Sequence, residues 1–442
     1  MQLKKIFIPI LFLLFTSCNT DTLRSFFFDT NEEEDIPKEK KYNPDIIWRL
    51  NTETYIENYP VQEGQYLYIQ ELPAMDKINI AKIDLSMGTY VWKSDIVRYA
   101  NSYGGCVTDK YYCFFDFDNY LKIFNKETGY LITTVIMSEN EKEREAYAPY
   151  TTSLFFYNDA LYWGNAANET DVVTGIMKLD LNNIDYNTRS QILNPECVYQ
   201  LRSDEGFFSS KFIIDGDILY GLTYNTNYFN SGYKGSAFLF SFDIKTFEIK
   251  WRKQIDNICG FNPECIKLDG DKLFIFDVGI FCFDKKTGNF IFSKEQTSED
   301  LKKEIHLSAS LDLCGIYQCN GKFYYTRNAY VGSNEQLGRP EKYNKNIICW
   351  DGNTFKLAWG DLPPYKEGSS LQTRPVVVNR KCFVVTNTGL RVYDADTGEF
   401  FGVWRDIKNL GRDLNASYKN MFIFFDHDKN TGKGILTAIN AG

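Results

Sequence analysis

The side chains able to do chemistry are few and scattered: eleven cysteines and two histidines in 442 residues. His306 follows Ser298-Glu299-Asp300-Leu301-Lys302-Lys303-Glu304-Ile305, which reads as a short capped helix, so a surface histidine is expected there. His427 lies in Asp426-His427-Asp428-Lys429-Asn430-Thr431-Gly432, where oxygen ligands alternate as in calcium loops. The glycine falls one place late, and Thr437 stands where a bidentate Glu would be needed. A turn between two strands explains the same residues. Asp116-Phe117-Asp118-Asn119 matches such a loop less well. No His-Glu-x-x-His, Gly-x-Ser-x-Gly or phosphate-loop pattern occurs. No catalytic, cofactor-binding or metal-binding residue is therefore assigned.

The cysteines stand mostly alone inside apolar runs, such as Tyr111 to Phe115 and Ile280 to Phe283, as buried small hydrophobes do. Cys106 and Cys113 flank Asp109-Lys110. If those two residues form a hairpin loop, the cysteines face each other, leaving either a disulfide or two buried thiols.

Cys18 has a different setting. Lys4 and Lys5 precede an apolar run from Ile6 to Phe15, then Thr16-Ser17-Cys18. A basic start, a short apolar stretch and small residues before a cleavage point make a secretory signal, and the run is too short to span a bilayer. With the cysteine in place the segment resembles a bacterial lipoprotein signal. That resemblance implies a signal peptide over 1–17, acylation (palmitate) at Cys18, and a mature chain anchored by lipid in the cell envelope, on the outer membrane. Residues 18–45 are polar, acidic and then basic, with Pro37 and Pro44, and read as a flexible tether.

The remaining chain must fold into strands. It is 44% hydrophobic and 16% aromatic, rich in Phe and Tyr. A net charge of −9 without a basic stripe argues against nucleic-acid binding. Two signals alternate from Glu63 onward. The first is a hairpin turn between apolar runs, as in Asp215-Gly216-Asp217-Ile218-Leu219-Tyr220, Asp269-Gly270-Asp271-Lys272-Leu273-Phe274 and Asn320-Gly321-Lys322-Phe323-Tyr324. The second is a strand, an acidic or polar turn with Thr-Gly, and another strand carrying Trp. Examples are Phe283-Asp284-Lys285-Lys286-Thr287-Gly288 before Phe292, and Tyr393-Asp394-Ala395-Asp396-Thr397-Gly398 before Trp404. Together they predict four-stranded antiparallel units recurring every ~50 residues, the signature of a β-propeller.

About eight such units fit, the last incomplete at Gly442. Its missing outer strand is available at the other end of the chain, in Ile46-Ile47-Trp48-Arg49-Leu50. The expectation is an all-β, eight-bladed propeller over 46–442, closed by this N-terminal strand.

The strand–Asp-x-x-Thr-Gly-x-x-x-Trp signature resembles the repeat of the PQQ-like, or quinoprotein-type, propellers. The resemblance implies that Trp48, Trp92, Trp251, Phe292, Trp359 and Trp404 dock adjacent blades together, and that Thr133, which departs from the pattern, leaves the second blade packed differently. The enzymes of that family clamp their quinone with a disulfide between adjacent cysteines and use calcium with an acidic base. This chain has no Cys-Cys pair and no Cys-x-x-Cys-His for haem. The resemblance therefore points to the non-enzymatic envelope lipoproteins of the class found in the outer-membrane barrel assembly machinery. It implies envelope proteins as partners, with the membrane engaged through the lipid. Insertions at Ser138 to Pro149, Tyr224 to Gly235 and Arg327 to Asn346 are the expected recognition loops. Exposed Tyr224, Tyr228, Phe229 and Tyr233 would alternatively stack on a glycan. Third comes an enzyme whose carboxylates meet across blades.

Overall fold

The computed structural model describes residues 40–442, apart from 53–55, 75–76, 96, 99–104, 117, 150–153, 166–171, 203–204, 226–234, 259–263, 278, 296–314, 335–338, 362–373, 387–388, 408–414 and 428–432. Cys18 with its signal and most of the tether, His306, Tyr228, Phe229 and Tyr233 lie outside the described residues. Lys41–Gly442 forms one compact unit.

Eight sheets follow one another, each with an antiparallel core of four strands. The fifth blade shows the plan: Ile266–Asp269, Lys272–Phe276, Gly279–Asp284 and Phe290–Glu295 pair in that order from the inner to the outer strand. In the eighth blade the order is Ala416–Tyr418, Met421–His427, Gly434–Asn440 and then Asp45–Asn51. Trp48 stands opposite Ala438 and Leu50 opposite Leu436. The N-terminal strand thus closes the ring, as the two truncated ends of the repeat require, and covers an edge that would otherwise be open.

The middle strands read as continuous apolar runs because both faces of each blade are covered. Lys77–Asp84, for instance, is buried at every position after the first. The core accordingly divides into eight clusters, one in each interface between neighbouring blades.

Blade contacts depend on the turn between the third and fourth strands. In the fifth blade Asp284 Oδ1 accepts hydrogen bonds from the backbone N–H groups of Lys286 and Thr287 and from the Thr287 hydroxyl. Gly288 then turns the chain at φ +66°. The indole N–H of Trp251, from the fourth blade, donates to Lys285 O at 3.0 Å while its ring covers Gly288. The same arrangement places Trp48 on Leu85 O and Gly88, Trp92 on Lys126 O and Gly129, and Trp359 on Ala395 O and Gly398.

Each of these residues stands just past a bulge in its outer strand. Phe292 holds the same position and stacks on Phe355, with centroids 4.7 Å apart. Phe355 replaces the turn glycine, at φ +55°. Thr133 holds the position in the second blade and donates its hydroxyl to Thr188 O at 2.7 Å. That blade also gains a parallel fifth strand, Ser190–Ile192. In the seventh blade Gly402 holds the position, two residues before Trp404. The reason is topological. The fourth strand of the eighth blade is Asp45–Asn51, so Gly434–Asn440 is not joined to it by a capped turn that an indole could cover. Trp404 instead donates to Asp406 and meets Phe424 edge-on.

Candidate functional site

The up-and-down strands give the ring two unlike faces. One carries the hairpins between first and second strands and the turns between third and fourth, short and tied to neighbouring blades except in the third blade, where 181–195 runs along the second blade and includes Ser190–Ile192. Lys322 reaches Asp396 at 2.7 Å and Lys82 reaches Glu127 at 3.2 Å across blade boundaries on this turn face. The opposite face carries, among the described residues, a helix and a ribbon. The helix, Glu141–Tyr147, is capped by Asn140 and held by Arg144, whose Nε donates to Asp118 O at 2.9 Å. Residues Arg327 to Asn346, expected as a loop, prolong the strands Lys322–Asn334 and Arg339–Asp351 into a ladder of two strands that runs on beyond their blade neighbours. The fourth strand, Lys356–Asp361, pairs with Arg339–Asp351 only from Ile347 onward.

At the mouth of this loop face, charged residues stand just ahead of the inner strands. Glu264 precedes Ile266–Asp269. Its Oε1 lies 2.9 Å from Lys211 Nζ of the fourth blade and its Oε2 lies 3.0 Å from Lys267 Nζ. Arg374, ahead of the seventh inner strand, reaches toward it across Gly315 of the sixth. A methyl on Gly315 would lie 3.1 Å from both Arg374 Cδ and Glu264 Oε2. Arg374 Nη2 donates to Asn415 O, and Asn415 Nδ2 returns a bond to Arg374 O at 2.7 Å. Contacts thus run from the fourth blade to the eighth. Burial alone would raise the Glu264 carboxyl, but Lys267, Lys211 and Arg374 together hold it well below the usual carboxylate range. Three cations surround one carboxylate.

A second polar ring had no place in the sequence reading. In seven blades the position five residues after the start of the second strand, in the strand or just past it, is polar: Glu71, Asp116, Asn165, Thr223, Asp277, Thr386 and Asp426. The repeated polar position was visible once the hairpins were aligned. Several of these residues fasten the loop that follows. Asp116 Oδ1 accepts from the N–H groups of Asp118 and Tyr120, and its Oδ2 lies 3.2 Å from Lys122. Asn165 bonds Ala146 O, Val173 O and the Gly175 N–H, and the Thr386 hydroxyl donates to Gly389 O.

Other sequence expectations fare unevenly. Tyr224, expected to be exposed for stacking, is buried beside Phe207, because it ends the strand Ile218–Tyr224 and faces the next blade. Asp426 and His427 are ladder residues opposite Ile435 and Gly434. Among the described residues no group of three or more His, Cys, Asp or Glu side chains could hold a metal ion. Cys106 does face Cys113, and both are free thiols. Burial pushes Cys106 up to about 12, so it resists forming the thiolate needed for exchange.

Neither a protein-family model nor a curated protein sequence matches the chain. Solved structures do match it. A europium-containing methanol dehydrogenase aligns with TM-score 0.61 at 14% identity, covering 91% of this chain and 95% of that one. The quinohemoprotein alcohol dehydrogenase from Comamonas testosteroni gives 0.62 at 14%, covering 90% and 76%. BamB from Moraxella catarrhalis gives 0.52 at 12%, covering 90% and 98%. At such identities the likeness concerns the fold, which enzymes and BamB share. With the capped turns, the indole docking and the closed ring, it shows that this chain has the eight-bladed propeller fold that those proteins share.

Proposed function

We propose that the chain is a non-enzymatic scaffold of the bacterial cell envelope, anchored by lipid at Cys18, whose loop face binds protein partners such as components of outer-membrane protein assembly. The observation that carries this reading is the contrast between the two faces. One is held mainly by capped turns, and the other carries the helix, the ribbon and the charged residues of the mouth. Rigid frames with variable loops on one face are suited to recognition.

The residues at the mouth do not fit a quinone held between adjacent cysteines and a cation. The described cysteines stand singly in or beside the strands, and Glu264 is engaged by Lys211 and Lys267. The burial of Tyr224 removes one of the aromatic groups that a glycan platform would have used. Two measurements on the purified chain test the reading together. Reconstitution with quinone and calcium is expected to give no stoichiometric binding and no dye reduction over a panel of alcohols and sugars. Affinity capture from detergent-solubilised envelope is expected to recover defined outer-membrane components with the intact chain, and to lose them when 328–345 is replaced by a two-residue turn. Quinone-dependent turnover would move the chain to the enzymes.

A further inference from the structure

The side of the ring holds a cleft between the fourth and fifth blades. Its volume is about 310 Å³, and it is lined by Lys253, Ile255, Asp256, Phe281, Phe283 and Phe290, among others, with the Asp256 carboxylate accepting from Gln254 Nε2 at 2.9 Å. Phe281 and Phe283 form its apolar wall, and Phe290 at its lip is 59% exposed. The other wall is the outer strand Glu248–Ile258, eleven residues long, where the outer strands of the second and seventh blades have six and five. This strand ends its sheet. Lys253 faces the cleft, and among the described residues its ammonium makes no ion pair or hydrogen bond.

Two other blades show how such an edge is used. Along the second blade, Ser190–Ile192 lies parallel to the outer strand. The Thr134 N–H donates to Arg189 O at 3.1 Å and the Leu193 N–H donates to Ile136 O at 3.0 Å, while Leu193 packs into the interface core. Along the seventh blade, Lys41 pairs in parallel with Val403, the Tyr42 N–H donates to Val403 O at 2.9 Å, and Tyr42 packs into the core there. Thr134 and Val403 both stand one residue past the docking position, so the two segments use the same site on different blades. On the fourth blade that site is followed by Lys253 and the phenylalanine-lined cleft.

We infer that the cleft between the fourth and fifth blades binds an extended peptide segment of a partner protein. The segment lies along Glu248–Ile258 as Ser190–Ile192 lies along the second blade. It places an apolar side chain among Ile255, Phe281 and Phe283 and an aspartate or glutamate on Lys253. An apolar anchor gives affinity, and the acidic group meets the cation that the chain leaves unmatched. The site is on the side of the ring, away from the loop-face reading, and stands or falls separately from it.

The test uses the full chain and a fluorescein-labelled octapeptide of alternating valine and threonine with one central aspartate. A second peptide carries lysine instead. Anisotropy should show saturable binding of the acidic peptide and at least tenfold weaker binding of the basic one. Lys253→Glu should reverse that order, and Phe290→Asp should weaken the acidic peptide at least tenfold. Leu131→Asp, on the outer strand of the second blade, should change nothing. Peptide binding should also slow amide exchange between 252 and 256. Absence of saturable binding overturns the inference, as does binding that Lys253→Glu and Phe290→Asp leave unaltered. Both positions are at the surface, and unchanged melting of the variants would confirm that their folds are intact.

Discussion

At Gly288 a hydrogen atom is all that fits. The backbone is at φ +66°, and a methyl group there would fall 2.6 Å from the Trp251 ring. Gly270 has a similar backbone, φ +58°, but open space around it. The two separate conformational strain from crowding. Gly270→Ala should cost about 1 kcal/mol, the left-handed backbone penalty alone. Gly288→Ala should cost about 2–4 kcal/mol, because displacing a packed indole is added to that penalty. Denaturant unfolding of the two variants measures the difference, and equal losses would remove the indole from the account.

Acid response is also set residue by residue. Asp284 is held below its ordinary range by the Thr287 hydroxyl, and Asp394 by the Thr397 backbone N–H. Glu264 is low because three cations outweigh its burial. A carboxyl depressed in the folded state makes the unfolded chain bind protons first, so this stabilisation is complete above the unfolded value, about 4, and disappears as pH falls through the folded values. The melting temperature should be level from pH 7 to about 5.5 and drop below about 4. Glu264→Gln should lower it at pH 7, leaving Lys211 and Lys267 without their carboxylate, and should shrink the acid drop. A melting temperature unchanged down to pH 3 would contradict this assignment.

Among elements, the interface between the fifth and sixth blades shows how docking residue and turn are matched by volume. Four interfaces pair Trp with Gly, whereas Phe292 is paired with Phe355. Phe292→Trp should clash and Phe355→Gly should leave a gap, each costing about 1–3 kcal/mol. The double variant recreates the Trp–Gly pair and should recover most of the loss, giving a coupling above 1 kcal/mol in a double-mutant cycle. Additive losses would mean that the two positions act independently.

The same interface marks where sequence reading succeeds and fails. Trp92, Trp251 and Trp359 were legible because their spacing from the capped turn is fixed by hairpin geometry. Phe355 was not, since a phenylalanine at positive φ carries no local signal and is explained only by its neighbour across the interface. Ser190–Ile192 was missed because three residues cannot establish an alternation. The ribbon at 327–346 read as loop, because its sequence shows no period of two in apolar residues. The charged mouth was illegible too: Lys211, Glu264 and Arg374 are far apart in sequence, and only the closed ring brings them together.

For the whole molecule, closure is the controlling feature. The eight interface clusters share one ring, so opening one place exposes two apolar faces. Deleting Asp45–Asn51 removes the strand that carries Trp48 and covers Leu436 and Ala438. The loss should amount to several kcal/mol, judged from the burial of Trp48 and Leu50 alone, and should be read as a lower, broader unfolding transition with earlier proteolysis of the eighth blade. A deletion variant melting like the intact chain would show that the ring does not depend on this strand.

The ring's two faces make the functional claim testable in place. A photo-reactive phenylalanine analogue can be put singly at Lys77, Asp95, Lys142 or Lys433, exposed on the loop face, and at Asp159, Lys286 or Lys419, exposed on the turn face. Irradiation in intact cells, followed by identification of the adducts, asks which face meets other proteins. The account predicts recurrent adducts with the same envelope proteins from the loop-face positions and none from the turn face. Adducts confined to the turn face, or none from either while the full-length protein is present in the envelope, would contradict it.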